Sequence, residues 1–311
     1  MDAETKTRLP RVGRGWYTTG VRRAGITPAL ATLVAVATVA GAYVALADVP
    51  RALSLTPPGV IRIEAGAFTM GSDEDDVKFA VALCLRSGEQ SGRCDATMFA
   101  DEQPAHRVML NAYRIDRTEV SQADWRRCLR AGECYPARVS EADARLGRPE
   151  HPVAGVTFAE AQRYCAWVGG RLPTESEWER AARGGSKRRF PWGEVFDERL
   201  ANHGLPTGEP SSADGHAYAA AIDAHPQAKS AHGLLNMAGN VWELTADRFG
   251  ADYYGKSEGT DPRGPAEGEE HVIRGGSWRS PLYTLRVTQR ASLKDGESRP
   301  DVGFRCAYDA R

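Results

Sequence analysis

Two stretches near the end of the chain, Arg274-Gly275-Gly276-Ser277-Trp278-Arg279-Ser280 and Gly303-Phe304-Arg305-Cys306, carry the pattern that decides its fold. The segment that leads into the first stretch, residues 185–275, is dense in Gly, Pro, Asn and Asp and contains few long periodic runs. The 32 glycines of the chain also favour turns over long regular elements. Because a long loop-rich stretch inside a compact domain needs internal cross-links, we expect disulfides and bound metal ions to stabilise it.

Length and charge limit the classes of function that this chain can have. At 311 residues it is long enough for one large domain or two small ones. Residues 1–23 contain six basic and two acidic side chains and so carry a net charge of +4. Because the whole chain has a net charge of −1, the remaining residues carry −5. A nucleic-acid-binding surface needs basic density on the folded part, so we expect no nucleic acid among the partners.

The N-terminal region predicts export of everything that follows it. Residues 24–47 contain no charged side chain and are long enough to cross a bilayer, and the basic residues 1–23 before them favour a cytoplasmic N-terminus. This segment is either a transmembrane anchor or a signal peptide cleaved near Ala47, with a buried core helix as the remaining alternative. Residues 48–59 read as a linker, and a single folded domain is expected over 60–309.

The even number of cysteines agrees with an oxidising compartment. Fifteen pairings are possible for Cys84, Cys94, Cys128, Cys134, Cys165 and Cys306. Two pairs bracket short glycine-containing loops, so pairing of Cys84 with Cys94 and of Cys128 with Cys134 is the simplest choice and leaves Cys165 for Cys306. A metal site or a reactive thiol is the alternative, although no Cys-x-x-Cys or Cys/His cluster is present.

Regular elements are predicted in the first half of the domain. Val60, Ile61 and Ile63 indicate a short strand, and residues 107–116 are also strand-like. Residues 73–76 and the segment between Cys84 and Cys94 read as a surface insertion. Three helices are predicted to begin after the N-cap residues Ser121, Thr157 and Thr174, the last two with the Thr-x-x-Glu spacing of a capping box.

Seven landmarks in order over residues 60–309 resemble the formylglycine-generating enzymes, also called sulfatase-modifying factors. They are EAGAFTMG at 64–71, EQPAHRV at 102–108, TEVS at 118–121, GRLPTESEWE at 170–179, GNVWE at 239–243 and the two stretches quoted first. The resemblance implies an irregular, loop-rich α+β domain related to C-type lectin-like folds. It also implies a core disulfide between the positions of Cys165 and Cys306, and a further one at Ala182 and Arg290 that this chain cannot form.

Calcium is the cofactor that we expect. In residues 236–243, Asn and Glu oxygens bracket a glycine-rich turn, and hard oxygen ligands suit calcium. The resemblance implies two calcium sites, each built from side-chain and backbone oxygens. The first site consists of Asn236, Gly239, Val241 and Glu243. The second consists of Asn202, His203, Asp214 and His216. The alternative is that these Asn and Asp residues only form turns.

Copper is not expected. The enzymes of the family oxidise a substrate cysteine with copper held by two cysteines, and the matching positions here are Ser280 and Leu285. Soft thiolate is the ligand that Cu(I) prefers, whereas a hydroxyl is hard and a leucine offers no ligand. Replacement of both thiols predicts loss of copper binding and of formylglycine generation.

The candidate cleft residues are Trp242, Ser277, Trp278 and Arg279. Several arginines crowd the C-terminal region and either bind an acidic ligand or only form ion pairs and a solvated face. The leading interpretation is an exported, calcium-stabilised module, without catalytic residues, that binds a peptide, glycan or protein in the cleft. The alternative is an enzyme of the formylglycine-generating oxidase type that acts on protein cysteine through other residues, and a third is an envelope component whose membrane anchor matters more than its cleft.

Overall fold

The computed structural model describes residues 59–88, 94–139 and 142–310. The predicted basic region, the apolar segment 24–47 and the linker up to residue 58 lie outside the described residues. In the described ranges, no helix combines the length and the apolar character that crossing a bilayer requires.

The strands of the described residues form three small sheets. Their bounds are β1 (Val60–Ile63), β2 (Gly66–Met70), β3 (His106–Leu110), β4 (Tyr113–Asp116), β5 (Trp242–Arg248), β6 (Glu270–Arg274), β7 (Arg290–Lys294), β8 (Val302–Gly303) and β9 (Ala307–Asp309). One sheet has the order β1-β4-β9, the second pairs β2 with β3, and the third has the order β7-β6-β5-β8. In the third sheet β5 and β8 are parallel, which brings Glu243 beside Gly303.

Four α-helices precede the loop-rich part of the chain. They are α1 (Glu74–Arg86), α2 (Gln122–Arg130), α3 (Phe158–Trp167) and α4 (Glu175–Arg183), and short 3-10 helices lie at Ala96–Glu102, Glu198–Leu200, Tyr253–Lys256 and Leu282–Leu285. The predicted N-caps are confirmed, because Ser121, Thr157 and Thr174 each accept a hydrogen bond from the backbone of the third helical residue in a full capping box. The strand predicted at residues 60–63 is also present.

The segment after Asp73 is more than the surface insertion that the sequence suggested. It forms α1, whose Val77, Ala80 and Leu83 are buried against Phe99 and Tyr283, among other aromatic residues. The capping box of Asp73 starts the helix, and the Cys84–Cys94 disulfide ties its last turn to the chain that follows. The acidic run at residues 73–76 is the N-terminus of this helix, where carboxylates interact favourably with the helix dipole.

The strand-like segment 107–116 is divided into two strands that belong to different sheets. The break falls at Asn111 and Ala112, and the Asn111 backbone N–H donates to Asp261 (2.9 Å). On one side of the break β3 pairs with β2, and on the other side β4 pairs with both β1 and β9. The strand structure that the apolar residues predict is confirmed. The break between the two strands could not be predicted, because the hydrogen bond from Asn111 goes to a residue that is distant in sequence.

The predicted disulfides are confirmed. Cys84 pairs with Cys94, Cys128 with Cys134, and Cys165 with Cys306 across 141 positions of sequence. The last bond joins α3 to the residue before β9, and both of its cysteines are buried. Disulfides and an α+β arrangement of short elements therefore hold a domain rich in irregular structure, as predicted.

Candidate functional site

The run from Arg274 to Ser280 turns sharply away from the end of β6. Two backbone contacts fix its position: the Trp278 N–H donates to the Asn240 carbonyl (2.8 Å), and the Ser280 carbonyl accepts from the Gly204 N–H (2.8 Å). Gly276 occupies the turn with a φ of +78°, a backbone conformation that favours glycine. The loop at residue 204 and the turn at residue 240 therefore hold this run from two sides.

Ser280 and Leu285 both lie next to Gly276. A Cβ built on this glycine would come 2.6 Å from Leu285 Cδ2 and 3.6 Å from Ser280 Cβ. The two positions that the resemblance assigned to a cysteine pair thus border one small space, although they are five residues apart in sequence.

A chain of hydrogen bonds engages the Ser280 hydroxyl. Its oxygen accepts from the Ser277 backbone N–H (2.9 Å) and lies 3.0 Å from the Ser277 hydroxyl oxygen. The Ser277 hydroxyl donates to Asp301 Oδ2 (2.9 Å). Because each hydroxyl has one proton, Ser280 must donate to Ser277, and the chain ends on the carboxylate.

Leu285 is fully buried at the end of a 3-10 helix. It packs with Ala201 and Ala238, and Trp192 and Phe196 close the same cluster. This side chain fills space between the loops as an ordinary core residue and presents no polar atom. The two positions that the resemblance assigns to cysteines thus hold one engaged hydroxyl and one packed hydrocarbon.

A cavity of about 330 Å³ opens at Ser280. Met98 and Trp242 supply apolar walls, and Arg279 and Asp301 supply charged ones. Of the predicted cleft residues, Trp242 and Arg279 line this cavity and Ser277 lies behind Ser280 as the link to Asp301. Trp278 lines a neighbouring cavity of about 400 Å³.

The C-terminal arginines are divided between interior ion pairs and the cleft. Four of them bind carboxylates, in the pairs Arg286–Glu102, Arg290–Glu175, Arg305–Glu243 and Arg299–Asp301. Arg279 differs, because among the described residues its guanidinium has no carboxylate or hydrogen-bond partner and only lies over the Trp278 ring, 5.6 Å from its centre. Ion pairs thus account for four of the five arginines, and Arg279 is exposed to solvent, which the same alternative also allows.

Asn202 lies at the centre of a cluster of oxygen atoms. Its Nδ2 is 3.0 Å from Asp214 Oδ2, 3.0 Å from the His216 carbonyl oxygen and 3.1 Å from the Tyr218 carbonyl oxygen. Its Oδ1 is buried without a hydrogen-bond partner in the described structure. The two ends of an amide are nearly isosteric, so turning the group would direct Oδ1 toward the other three oxygens.

These oxygens match the donor set of a hard cation such as calcium. Asn202, Asp214 and the His216 carbonyl were all predicted, whereas the predicted His203 carbonyl instead accepts from the Ser211 N–H (3.2 Å). Burial opposes ionisation of Asp214, but His225, whose Nε2 lies 3.1 Å from Asp214 Oδ2, and Asn202 outweigh it and lower the pKa of this carboxyl. A charged carboxylate is thus available at the cluster.

The first predicted set, around Asn236, is arranged differently. The Glu243 carboxylate is occupied by Arg305, which donates to both of its oxygens at 2.6 Å, and by the Trp178 indole N–H (2.8 Å). Asn236 Nδ2 instead donates to Glu119 Oε2 (2.8 Å) and to a backbone carbonyl. The turn itself is tight, because a Cβ on Gly239 would meet a carbonyl oxygen at 2.1 Å.

Glu119 is a site residue that sequence reasoning missed. It accepts from the side chains of both Asn236 and Asn240 (2.8 and 2.9 Å). Burial raises the pKa of its carboxyl to about 7, which Arg305 opposes and Glu243 reinforces. The sequence feature that could have pointed to Glu119 is its place in the TEVS landmark at residues 118–121, beside the helix N-cap Ser121.

In the parts of the chain that the structure describes, no three His, Cys, Asp or Glu side chains converge in the manner of a metal site. The candidate cation clusters consist mainly of amide and backbone oxygens, together with one carboxylate each. Backbone carbonyls such as that of Tyr218 leave no signal in a sequence, which is why this oxygen was not predicted.

The contact between Gly276 and Leu285 gives a direct test of the site geometry. We expect Gly276→Ala to lower the free energy of unfolding by about 2–4 kcal/mol, because a Cβ there has both an unfavourable φ and a clash with Leu285. Gly296→Ala is the matched control, with a φ of +75° and no atom within 4 Å of its Cβ, and should cost only about 1–2 kcal/mol. Denaturant unfolding measures both, and equal losses would contradict the close approach.

Comparison with known proteins identifies the scaffold. The family model of the sulfatase-modifying factor enzyme 1-like domain matches residues 46–310. The formylglycine-generating enzyme of Bos taurus is 30% identical, over 84% of this chain and 78% of that protein. The formylglycine-generating enzyme of Streptomyces coelicolor is 41% identical, over 53% of this chain and 54% of that protein.

A solved structure agrees with these relatives on the fold. The structure of PvdO from Pseudomonas aeruginosa matches with a TM-score of 0.63 at 24% identity, covering 81% of this chain and 94% of that one. The predicted α+β, loop-rich, C-type lectin-like fold is therefore confirmed. By its matched domain, its relatives and its fold, this chain belongs to the family of the formylglycine-generating enzymes, or sulfatase-modifying factors.

Proposed function

We propose that this chain is an exported, calcium-stabilised member of its family that binds a ligand in the cleft beside Ser280 and does not generate formylglycine with copper. The observation that carries the proposal is the placement of Ser280 and Leu285 next to Gly276, around one small space. The family scaffold is retained around this space, and the sulfur atoms that the resemblance assigns to it are replaced by other groups.

The donor atoms at this space do not fit copper. Cu(I) is held by soft sulfur ligands, and the hydroxyl of Ser280 is hard, neutral and already bonded to Ser277. Leu285 contributes only hydrocarbon. All six cysteines are consumed in disulfides, so no thiol of this chain is free to replace the missing pair.

Three disulfides support an oxidising compartment and therefore export. Residues 24–47 would provide either a membrane anchor or a signal peptide removed near Ala47. In either case the domain would meet its ligand outside the cytoplasm, where calcium is abundant enough to occupy sites of modest affinity.

The relatives named formylglycine-generating enzymes favour a second candidate, an oxidase acting through other residues. The nearest reactive arrangement is the Ser280–Ser277–Asp301 chain. Arg299 binds both oxygens of Asp301 (3.1 Å each), so this carboxylate is already held in an ion pair, and Ser280 reaches it only through Ser277. This arrangement favours binding over catalysis.

Incubation with copper and a cysteine-containing peptide tests the proposal. The purified full chain, supplied with Cu(I) and oxygen, should leave the peptide cysteine unconverted, because the cleft lacks sulfur donors for the metal. Mass spectrometry would detect the aldehyde product, and an active formylglycine-generating enzyme run in parallel shows that the assay works. Copper-dependent appearance of the aldehyde would overturn the proposal in favour of the oxidase alternative.

Calcium should stabilise the folded domain through the oxygen cluster at Asn202. If the site is of the millimolar to submillimolar class, a calcium concentration well above Kd adds about 2 kcal/mol to the free energy of unfolding. Thermal unfolding in calcium and in EGTA measures the shift for the unsubstituted chain and for Asp214→Asn, which should lose most of it.

Asp252→Asn is the control for this experiment, because Asp252 is exposed and pairs only with Lys256 on the surface. This variant should keep the calcium-dependent shift. Identical unfolding temperatures of the unsubstituted chain in calcium and in EGTA would contradict the calcium site.

A further inference from the structure

The cavity at Ser280 and the neighbouring cavity at Trp278 share two walls. Arg279 and Ser280 line the first cavity, and the preceding residue Trp278 lines the second. On the opposite side Arg299 and Asp301 line the first cavity, and Pro300 between them lines the second. The guanidinium of Arg279, which lines the first cavity, lies 5.6 Å from the centre of the Trp278 ring, which lines the second, so the two cavities adjoin as compartments of one cleft.

The charge of this cleft is positive, although the chain outside residues 1–23 is acidic. Both carboxylates of the walls are neutralised, since Asp301 is bound by Arg299 and Asp143 by Arg145 through two hydrogen bonds each. Arg279 lies at the junction of the compartments with no ionic partner in the described residues. A second arginine in the wall, Arg138, likewise has none there.

The remaining polar groups of the first compartment are already bonded within the protein. Ser280 is engaged by Ser277, and the Thr284 hydroxyl donates to the Pro281 carbonyl (2.7 Å). The Gln289 side chain donates to the Arg290 carbonyl (2.8 Å) and accepts from Arg286 (2.9 Å). A sugar, whose hydroxyl groups each need a partner, would find few here.

The surfaces left to a ligand are apolar, apart from the arginines. Met98 is 39% exposed at the first compartment, and Trp242 forms another wall of it. In the second compartment Trp278 packs edge-on to Tyr218, with ring centres 5.3 Å apart. The Trp278 indole N–H is buried and lacks an acceptor among the described residues.

We propose that the ligand of this cleft is a peptide segment carrying an acidic side chain between apolar ones, with the carboxylate bound by Arg279. A guanidinium without an internal partner forms charge-assisted hydrogen bonds to a carboxylate, and the apolar neighbours of the acidic residue pack on Met98 and Trp278. The proposal rests on the binding function proposed above and specifies its ligand class.

Capture of peptide pools by the immobilised full chain tests this ligand class. The pools consist of short peptides of equal length, randomised everywhere except at the central residue, which is fixed as Glu, Gln or Lys. In calcium-containing buffer at physiological salt, we expect the Glu pool to be retained about tenfold more than the Gln pool and the Lys pool least. Retention should fall as salt rises, because the contact with Arg279 is ionic.

Arg279→Gln should abolish the preference for the Glu pool, whereas Arg107→Gln should retain it. Arg107 is an exposed residue of β3 without a side-chain partner in the described structure, so both variants remove one unpaired surface charge. Equal unfolding temperatures of the two variants show that the loss is not one of folding.

Equal retention of the Glu and Gln pools, preference for the Lys pool, or failure to retain any pool would each overturn the proposal. Binding of a uronate oligosaccharide that no peptide displaces would also overturn it and point to a glycan. The proposed function without formylglycine generation would be contradicted by a different result, the copper-dependent oxidation of a cysteine peptide. The failure of one proposal can therefore be distinguished from the failure of the other.

Discussion

The Arg305 guanidinium is fully buried and holds four separate parts of the chain together. It donates to both oxygens of Glu243 in β5 at 2.6 Å and to the carbonyls of Asp116, Arg117 and Leu235. Glu243 in turn accepts from the Trp178 indole of α4. Removing one partner of such a buried pair leaves an uncompensated charge, which typically costs about 3–5 kcal/mol. Because Cys306 follows Arg305, the long-range disulfide closes at the same place.

Buried ion pairs recur where regular elements are sparse. Arg286 binds Glu102 near the cleft wall, and Arg274 at the end of β6 binds Glu179 (2.6 Å). Arg290, at a position that the resemblance assigned to a second long-range disulfide, binds Glu175 (2.6 Å) in the interior. These pairs tie together the loops around the cleft.

Sequence reasoning succeeded where the cause was local. A capping box is complete within four residues, so the helices after Ser121, Thr157 and Thr174 could be read directly. The short disulfides followed from spacing, and the long one followed once they were assigned. What it missed depends on distant partners. Glu119 gained its role only through two asparagines more than one hundred residues away. Helix α1 is the exception, because its Asp73–Asp76 capping box is as local as the others, yet the acidic run was interpreted as a surface insertion.

The account requires that the space beside Gly276, with Ser280 and Leu285 around it, lacks the donors for Cu(I), whatever the rest of the scaffold preserves. A competition titration of Cu(I) against a chromophoric chelator tests this most directly, on the unsubstituted chain and on the Ser280→Cys/Leu285→Cys variant. The account predicts no stoichiometric uptake by the unsubstituted chain and uptake of one equivalent by the variant, in which two thiols border the same glycine. Uptake of one equivalent by the unsubstituted chain would contradict it.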